Sequence, residues 1–267
     1  PGVAGNRICK SSDIPEVIFE DCQETPYLQK GSIEEWKAKI AAYAVGNPLL
    51  LLLISAAFAA PLLERMHHEG FGYNINGKSG LGKTTACRIA MGCVGYPELN
   101  KASGDSTVNG LGALAVEKNN DLLWIDELQL MGDTVERLPY ILSNGISRTR
   151  AKASGAKANT KDYSILFIVN GEKSFEEILK NDSTAGQTVR LIDIRPEEEQ
   201  KGGVIERIHP DFKSSGEMIK YFEREVVQYY GVASKAFLQA IVKVDWGLTY
   251  TVISNNINKF ETECEIQ

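Results

Sequence analysis

The 267-residue sequence has five cysteines, Cys9, Cys22, Cys87, Cys93 and Cys264, an odd and scattered set without C-x-x-C spacing. Its three histidines, His67, His68 and His209, add no matching ligand pattern. A disulfide framework and a structural zinc site are therefore not expected, and a reducing cytosol, hence a cytoplasmic location, fits best. Long apolar runs are scarce too. Leu49 to Leu63 reads LLLLLISAAFAAPLL, broken by Ser55 and Pro61, and falls short of the roughly 20 residues a bilayer core requires. It is expected as a fully buried core helix, with no membrane involved. There is no repeat, no low-complexity tract and no signal-like start, and an opening of Pro1-Gly2-Val3 in place of Met is expected of a piece excised from a longer polypeptide. Positive charge is in deficit: the net charge is −6 and the pI near 5.3. That argues against a protein coating duplex nucleic acid, though a locally basic groove stays open.

What is present is an ordinary globular composition, enough for one large domain or two small ones. Residues 1 to 31 read as an irregular or β-containing lead-in. Ser32 and Glu35 form a capping box, and Ile33, Trp36, Ile40 and Ala44 follow at helical spacing until Gly46-Asn47-Pro48. Phe71, Tyr73 and Ile75 alternate as a strand that stops at Gly77, and a helix is expected from Lys83 to Met91. Further strands are expected at Leu99 to Ser103, Leu122 to Ile125, Tyr163 to Val169 and Thr188 to Ile194, with helices between them. Capping boxes at Ser174/Glu177 and Ser214/Glu217 start later helices, and a last helix is expected from Ser234 to about Lys243. Apolar strands alternating with helices indicate an α/β fold with a parallel sheet covered on both faces. The expected division is a lead-in at 1–46, a core at 47–200 and a C-terminal helical appendix at 201–267.

Between the first strand and its helix, Gly77-Lys78-Ser79-Gly80-Leu81-Gly82-Lys83-Thr84 fits G-x-x-x-x-G-K-S/T, the phosphate-binding loop. Gly77, Gly80 and Gly82 let backbone N–H groups curl around a phosphate, and the helix start adds partial positive charge. Lys83 is expected to reach the β- and γ-phosphates of ATP and Thr84 to ligate Mg²⁺, with Ser79 and Thr85 also in the nucleotide-contacting set. The bland alternative is a glycine-rich turn that binds nothing. Leu122 to Ile125 then delivers Asp126-Glu127 at a strand's carboxyl end, which looks like a Walker B element. Asp126 would hold Mg²⁺ through water, and Glu127 could polarise a water for in-line attack. An adjacent base implies hydrolysis, where a phosphotransferase must exclude water. The alternative is that both acids merely cap a loop.

The spacing between these motifs leaves room for an extra strand and helix, placing a strand between the loop-bearing and acid-bearing strands. That is the layout of the additional-strand ATPases, including the AAA+ group. Asn170, at the tip of the next strand, resembles the sensor 1 residue of AAA+ proteins, its alternative being a turn-forming Asn-Gly. Arg190 stands where AAA+ rings carry an arginine that crosses to the neighbour's γ-phosphate, its alternative being a pair with Asp193 or nearby glutamates. Arg148, Arg150, Lys152, Lys157 and Lys161 form a basic stretch without an acid until Asp162. It resembles the pre-sensor-1 hairpin of ring helicases, with Arg150, Lys152 and Lys157 as nucleic-acid contacts made mostly to backbone phosphates. Solvated surface is the ordinary reading of such a charge run.

The ordered set resembles the Cch-type helicase-like family of mobile genetic elements and phages, a branch of AAA+ related to the MCM replicative helicases. The resemblance runs through Gly46-Asn47-Pro48, Ala59 to Leu63, Gly77 to Thr84, Asp126-Glu127-Leu128, Ser143-Asn144-Gly145 and Gly186 to Ile194. It implies a P-loop NTPase fold, ATP and Mg²⁺ as cofactors, and a homo-oligomeric ring, a hexamer, unwinding DNA around a single strand. A sensor 2 arginine is not evident, with Arg224 as the candidate. The rival from another class is a nucleotide-gated assembly or signalling ATPase that engages no DNA.

Overall fold

The structure, a computed structural model, describes residues 27–145, 162–179, 190–196 and 202–265. Ser32 caps α1 (Ile33–Trp36) with the expected box: its Oγ accepts from Glu35 N at 3.2 Å, and Glu35 Oε2 accepts from Ser32 N at 2.9 Å. A π-helical turn (Lys37–Ala41) leads into α2 (Ala42–Ala44). Pro48, whose missing N–H costs nothing in a first turn, opens α3 (Pro48–Ala59). Leu49, Leu50, Leu53, Ile54, Ala56 and Ala57 are buried, but Leu51 is 40% exposed and Ser55 and Ala59 also face outward, so the helix is buried on one side and not all round as expected. It ends in 3₁₀ turns around Pro61. Among the described residues no helix is long and apolar enough to cross a membrane.

The alternation of strand and helix follows: β1 (Phe71–Asn76), α4 (Lys83–Val94), β2 (Lys101–Ser103), α5 (Val108–Glu117), β3 (Leu122–Asp126), α6 (Leu138–Ser143), β4 (Leu166–Gly171), α7 (Phe175–Ile178) and β5 (Leu191–Ile194). Among the described residues five strands form one parallel sheet in the order β2-β3-β4-β1-β5. A strand does separate β1 from β3, but it is β4. The strand encoded between the two motifs, β2, lies outside β3 at the sheet edge, where its short length and Lys101 suit an exposed margin. Every residue of β4 is buried, as a strand flanked and covered on both sides requires. Side chains alternate between two apolar clusters. Ile75, Leu122, Trp124, Leu166 and Ile168 pack with α3 and α4, while Leu123, Ile125, Phe167 and Val169 pack with α5 and α6.

The C-terminal stretch forms α8 (Ser215–Val226), α9 (Val232–Ile241) and α10 (Trp246–Glu265). Ser214 caps α8 through Glu217 N, but Glu217 returns to Lys213 N, so the expected box is displaced by one residue. Gly231 is the left-handed N-cap of α9. The last helix, α10, goes unseen in the sequence reading. Its Thr and Asn residues are weak helix formers, and only the alternate four- and three-residue spacing of Trp246, Tyr250, Ile253, Ile257 and Phe260 marks it. One cluster joins all three stretches of the chain, taking Trp36 and Ile40, Leu53 and Met91, and Met218 and Phe222. Lys30 and Tyr230 also pair backbone to backbone.

Gly72 on β1 sits under the ring of fully buried Phe167, which fills the space a Cβ would take. Gly72→Ala should cost about 1–3 kcal/mol of unfolding free energy by overpacking. Urea denaturation checks this, and an unchanged midpoint would mean that the ring moves aside freely.

Candidate active site at the strand ends

The loop between β1 and α4 is held by backbone that only glycine adopts without strain. Gly77, Gly80 and Gly82 have φ of 138°, 87° and 81°. A Cβ on Gly82 would meet Val204 and Ile219 at 2.8 Å, whereas one on Gly80 would meet nothing within 4 Å among the described residues. The loop is thus walled on one side by the C-terminal stretch and open at Gly80, where Lys78, Ser79 and Gly80 are exposed. Val204 N donates to Leu81 O at 2.9 Å, fixing that wall. Among the described residues no side chain caps α4, so its first-turn N–H groups face the loop with their partial positive charge. Lys83 is buried, and its Nζ donates to Gly77 O at 2.5 Å and Lys78 O at 2.6 Å. Thr84 is half-buried at the helix start. Thr85 turns elsewhere: its hydroxyl donates to Glu223 of α8 at 3.0 Å, leaving only its backbone N–H for the loop.

Across the sheet, Asp126 ends β3 and pairs in register with Asn170 of β4. Asn170 Nδ2 donates to Asp126 Oδ1 at 2.7 Å, and Trp124 Nε1 donates to Asn170 Oδ1 at 2.6 Å. Asn170 and Gly171 are strand residues, so the turn reading of Asn-Gly is replaced by an oriented, buried amide. Below it lies Cys87, whose thiol is pushed up by burial and by the charge of Asp126. Glu127 is exposed and left-handed, with φ 61° and ψ 63°, a conformation costing a non-glycine residue on the order of 1–3 kcal/mol. Gly104 makes it possible, since any side chain there would collide with the Glu127 carbonyl. Because β1, β3 and β4 are parallel and Asn76 registers with Gly171, the glycine loop, Asp126, Glu127 and Asn170 share one end of the sheet.

Arg190 does not share it. Its backbone oxygen accepts from Gly72 N at the other end of the sheet, so it cannot serve this chain's own loop. It pairs with Glu69 at 3.4 Å and lies over Tyr140, so its partner is not Asp193. Asp193 is committed to Asn74, Asn76 and the Phe175 N–H. A cavity lined by Glu64, His67, Glu69, Ser143, Asn144 and Tyr163 opens at that same far end. Arg224, the sensor 2 candidate, pairs with Glu225 at 2.7 Å and lies over Tyr221, while Ile219 and Glu223 take the helix face toward the loop. Arg148, Arg150, Lys152, Lys157 and Lys161 lie outside the described residues.

Sequence reasoning missed Trp124, Gly104, Asn76, Lys101 and Glu223. Trp124 reads as core and only its indole N–H reveals a polar task. Lys101 pairs with Asp126 Oδ2 at 3.2 Å and Glu98 at 3.4 Å, a contact that needs the β2-β3 pairing to exist. The oxygen donors of Thr84 and Asp126 are of the hard type that Mg²⁺ takes, and the open rim at Gly80 leaves room for a phosphate.

The fold and the site define an α/β protein with a glycine loop and an acid-bearing strand at one sheet end. A family model described as "Domain of unknown function (DUF927)" matches residues 3–162, and the chain belongs to this family. Among solved structures, an active helicase, Cch of SCCmec type IV, is similar over 90% of this chain at 20% identity and a TM-score of 0.66. The match covers 43% of the helicase, so the chain spans less than half of its length, and the likeness is one of fold. The apo C-terminal region of NrS-1 aligns with 84% of this chain and 48% of its own length, at 12% identity and a TM-score of 0.37. No curated protein matches.

Trp124→Phe should leave Asn170 Oδ1 with only the Cys87 thiol as a nearby donor, costing about 1–3 kcal/mol. Guanidinium unfolding measures this. A variant as stable as wild type would show that the indole N–H does not hold the amide.

Proposed function

We propose that the chain is the ATP-hydrolysing motor of a DNA helicase, a P-loop NTPase of the additional-strand, AAA+ type. The observation that carries the reading is the insertion of β4 between β1 and β3, which brings Asn170 onto Asp126 at the same sheet end as the glycine loop. The fold shared with the Cch helicase supports the motor reading. Gly77, Ser79, Gly80 and Gly82 would cradle the nucleotide's phosphates, joined by the Thr85 backbone. Lys83 would exchange its loop carbonyls for phosphate oxygens, which keeps the ammonium hydrogen-bonded throughout. Thr84 and Asp126 would hold Mg²⁺, which when bound offsets charge on the phosphate oxygens. Glu127 would take a proton from the attacking water, and Asn170, held by Trp124, would orient that water.

Arg190, at the far end of the sheet, supports a composite site: its guanidinium would complete a neighbour's loop in a homo-oligomeric ring, a hexamer. Arg150, Lys152 and Lys157 would track the phosphates of single-stranded DNA, the polymer on which a mobile-element or phage replication helicase works. The proposed domain division stays at 1–46, 47–200 and 201–267, with α8 as the wall of the nucleotide loop.

Glu127→Gln should keep nucleotide binding and lose hydrolysis by about 10²- to 10⁴-fold. Mixing it with Arg190→Ala should restore part of the turnover through hybrid interfaces. No recovery at any mixing ratio would remove the trans arginine.

Single-stranded DNA should raise ATP turnover, and Lys152→Ala with Lys157→Ala should abolish that rise while nucleotide binding persists. ATP-dependent oligomers without any DNA stimulation would instead favour the assembly-switch reading.

A further inference from the structure

Lys101 is not called for by the proposed chemistry, yet it touches its central acid. The ammonium stands between two carboxylates, 3.2 Å from Asp126 Oδ2 and 3.4 Å from Glu98 Oε2, and 5.3 Å from the centre of the Trp124 ring. Asp126 Oδ1 is already taken by Asn170. Both oxygens of Asp126 are therefore held by donors of this chain, one of them a full positive charge. Glu98 is anchored from its other oxygen by Arg88 Nε at 2.7 Å. Arg88 lies one turn beyond Thr84 on α4, so Arg88, Glu98, Lys101 and Asp126 form an unbroken chain of ion pairs from the helix of the glycine loop to the acid strand. The Lys101 side chain keeps 29% of its surface exposed, which leaves the ammonium space to move.

We propose that Lys101 is a resident counter-cation of Asp126 that competes with the metal-bound nucleotide and steps fully onto Glu98 when that ligand binds. This rests on the reading of Asp126 as a metal-holding residue. The physical reason is charge: a divalent cation whose bound water must donate to Asp126 meets an ammonium on the same carboxylate, and like charges at that range repel. Glu98 provides the second seat, because the ammonium already lies within ion-pair distance of it. Lys101 thereby keeps Asp126 paired when no metal is present, and sets how strongly the site distinguishes a metal-bound nucleotide from a free one. Lys101 is a positioning residue and touches no phosphate.

The test is binding of fluorescent ADP to the 267-residue chain with Mg²⁺ and with EDTA. Lys101→Met should tighten Mg²⁺-ADP binding about tenfold and leave ADP in EDTA within about twofold. Glu98→Gln, which removes the second seat, should weaken Mg²⁺-ADP severalfold and serves if Lys101→Met does not fold. In thermal unfolding, Lys101→Met should lower the Tm of the metal-free protein but gain a larger upward shift from Mg²⁺-ADP than wild type. A merely structural ion pair would lower the Tm equally with and without ligand. An unchanged or weakened Mg²⁺-ADP affinity in Lys101→Met, or Mg²⁺-ADP affinity unaffected by Glu98→Gln, would overturn the proposal. Wild type that binds ADP neither with Mg²⁺ nor with EDTA would overturn the nucleotide reading itself, and this inference with it.

Discussion

Parallel pairing of β4 with both β1 and β3 is the constraint on which the rest of the structure depends. Register in a parallel sheet is fixed by evenly spaced backbone hydrogen bonds, so one strand placed between two others aligns their ends. Asn170 meets Asp126 on one side and Ile75 on the other, and Gly171 meets Asn76 just before the glycine loop. Burial of every β4 side chain sets that register, because a one-residue slip would exchange Phe167 and Val169 with Leu166 and Ile168 across two different clusters. The polar end of the sheet is then a consequence of the apolar middle.

The C-terminal helices add a second constraint on the same loop. Val204 and Ile219 fill the space beside Gly82, Leu81 O accepts from Val204 N, and Glu223 accepts from Thr85. Residues more than a hundred positions downstream thus decide which side of the glycine loop is open. The lead-in holds these helices in turn, with Tyr43 packed edge-on against His209, Phe212 and Tyr221. Movement of these helices would be felt at the loop directly, since no intervening layer separates them.

Charge is distributed as sharply as apolarity. The Asp126 end of the sheet is an alternating chain of Arg88, Glu98, Lys101 and Asp126. The base of β3 carries a buried knot in which Asp121 accepts from Tyr27, Lys118 and Leu122 N. Burial raises the affinity of Asp121 for a proton, while Lys118 and these donors oppose the shift, which lets a carboxylate sit at the core margin. The net charge of −6 conceals this pairing, because an average over the chain has no positions in it.

Much of the architecture was legible in local sequence. Capping boxes at Ser32 and Ser174, the glycine loop, the strand carrying Asp126 and helix α3 follow from spacing and side-chain chemistry within a dozen residues. Helix α10 was not, because its weak formers hide a regular apolar stripe. Nor was the edge position of β2, since strand order depends on which faces can be buried together. The sequence by itself determined where a glycine-rich loop precedes a helix and which acids stand at a strand tip, because those properties reside in single side chains and in glycine's freedom at positive φ. Only the tertiary structure decided that Trp124 orients Asn170, that Lys101 pairs with Asp126, and that Arg190 faces away from its own loop. Those contacts join strands brought together by hydrogen bonding and burial across the sheet, and no local pattern carries that information.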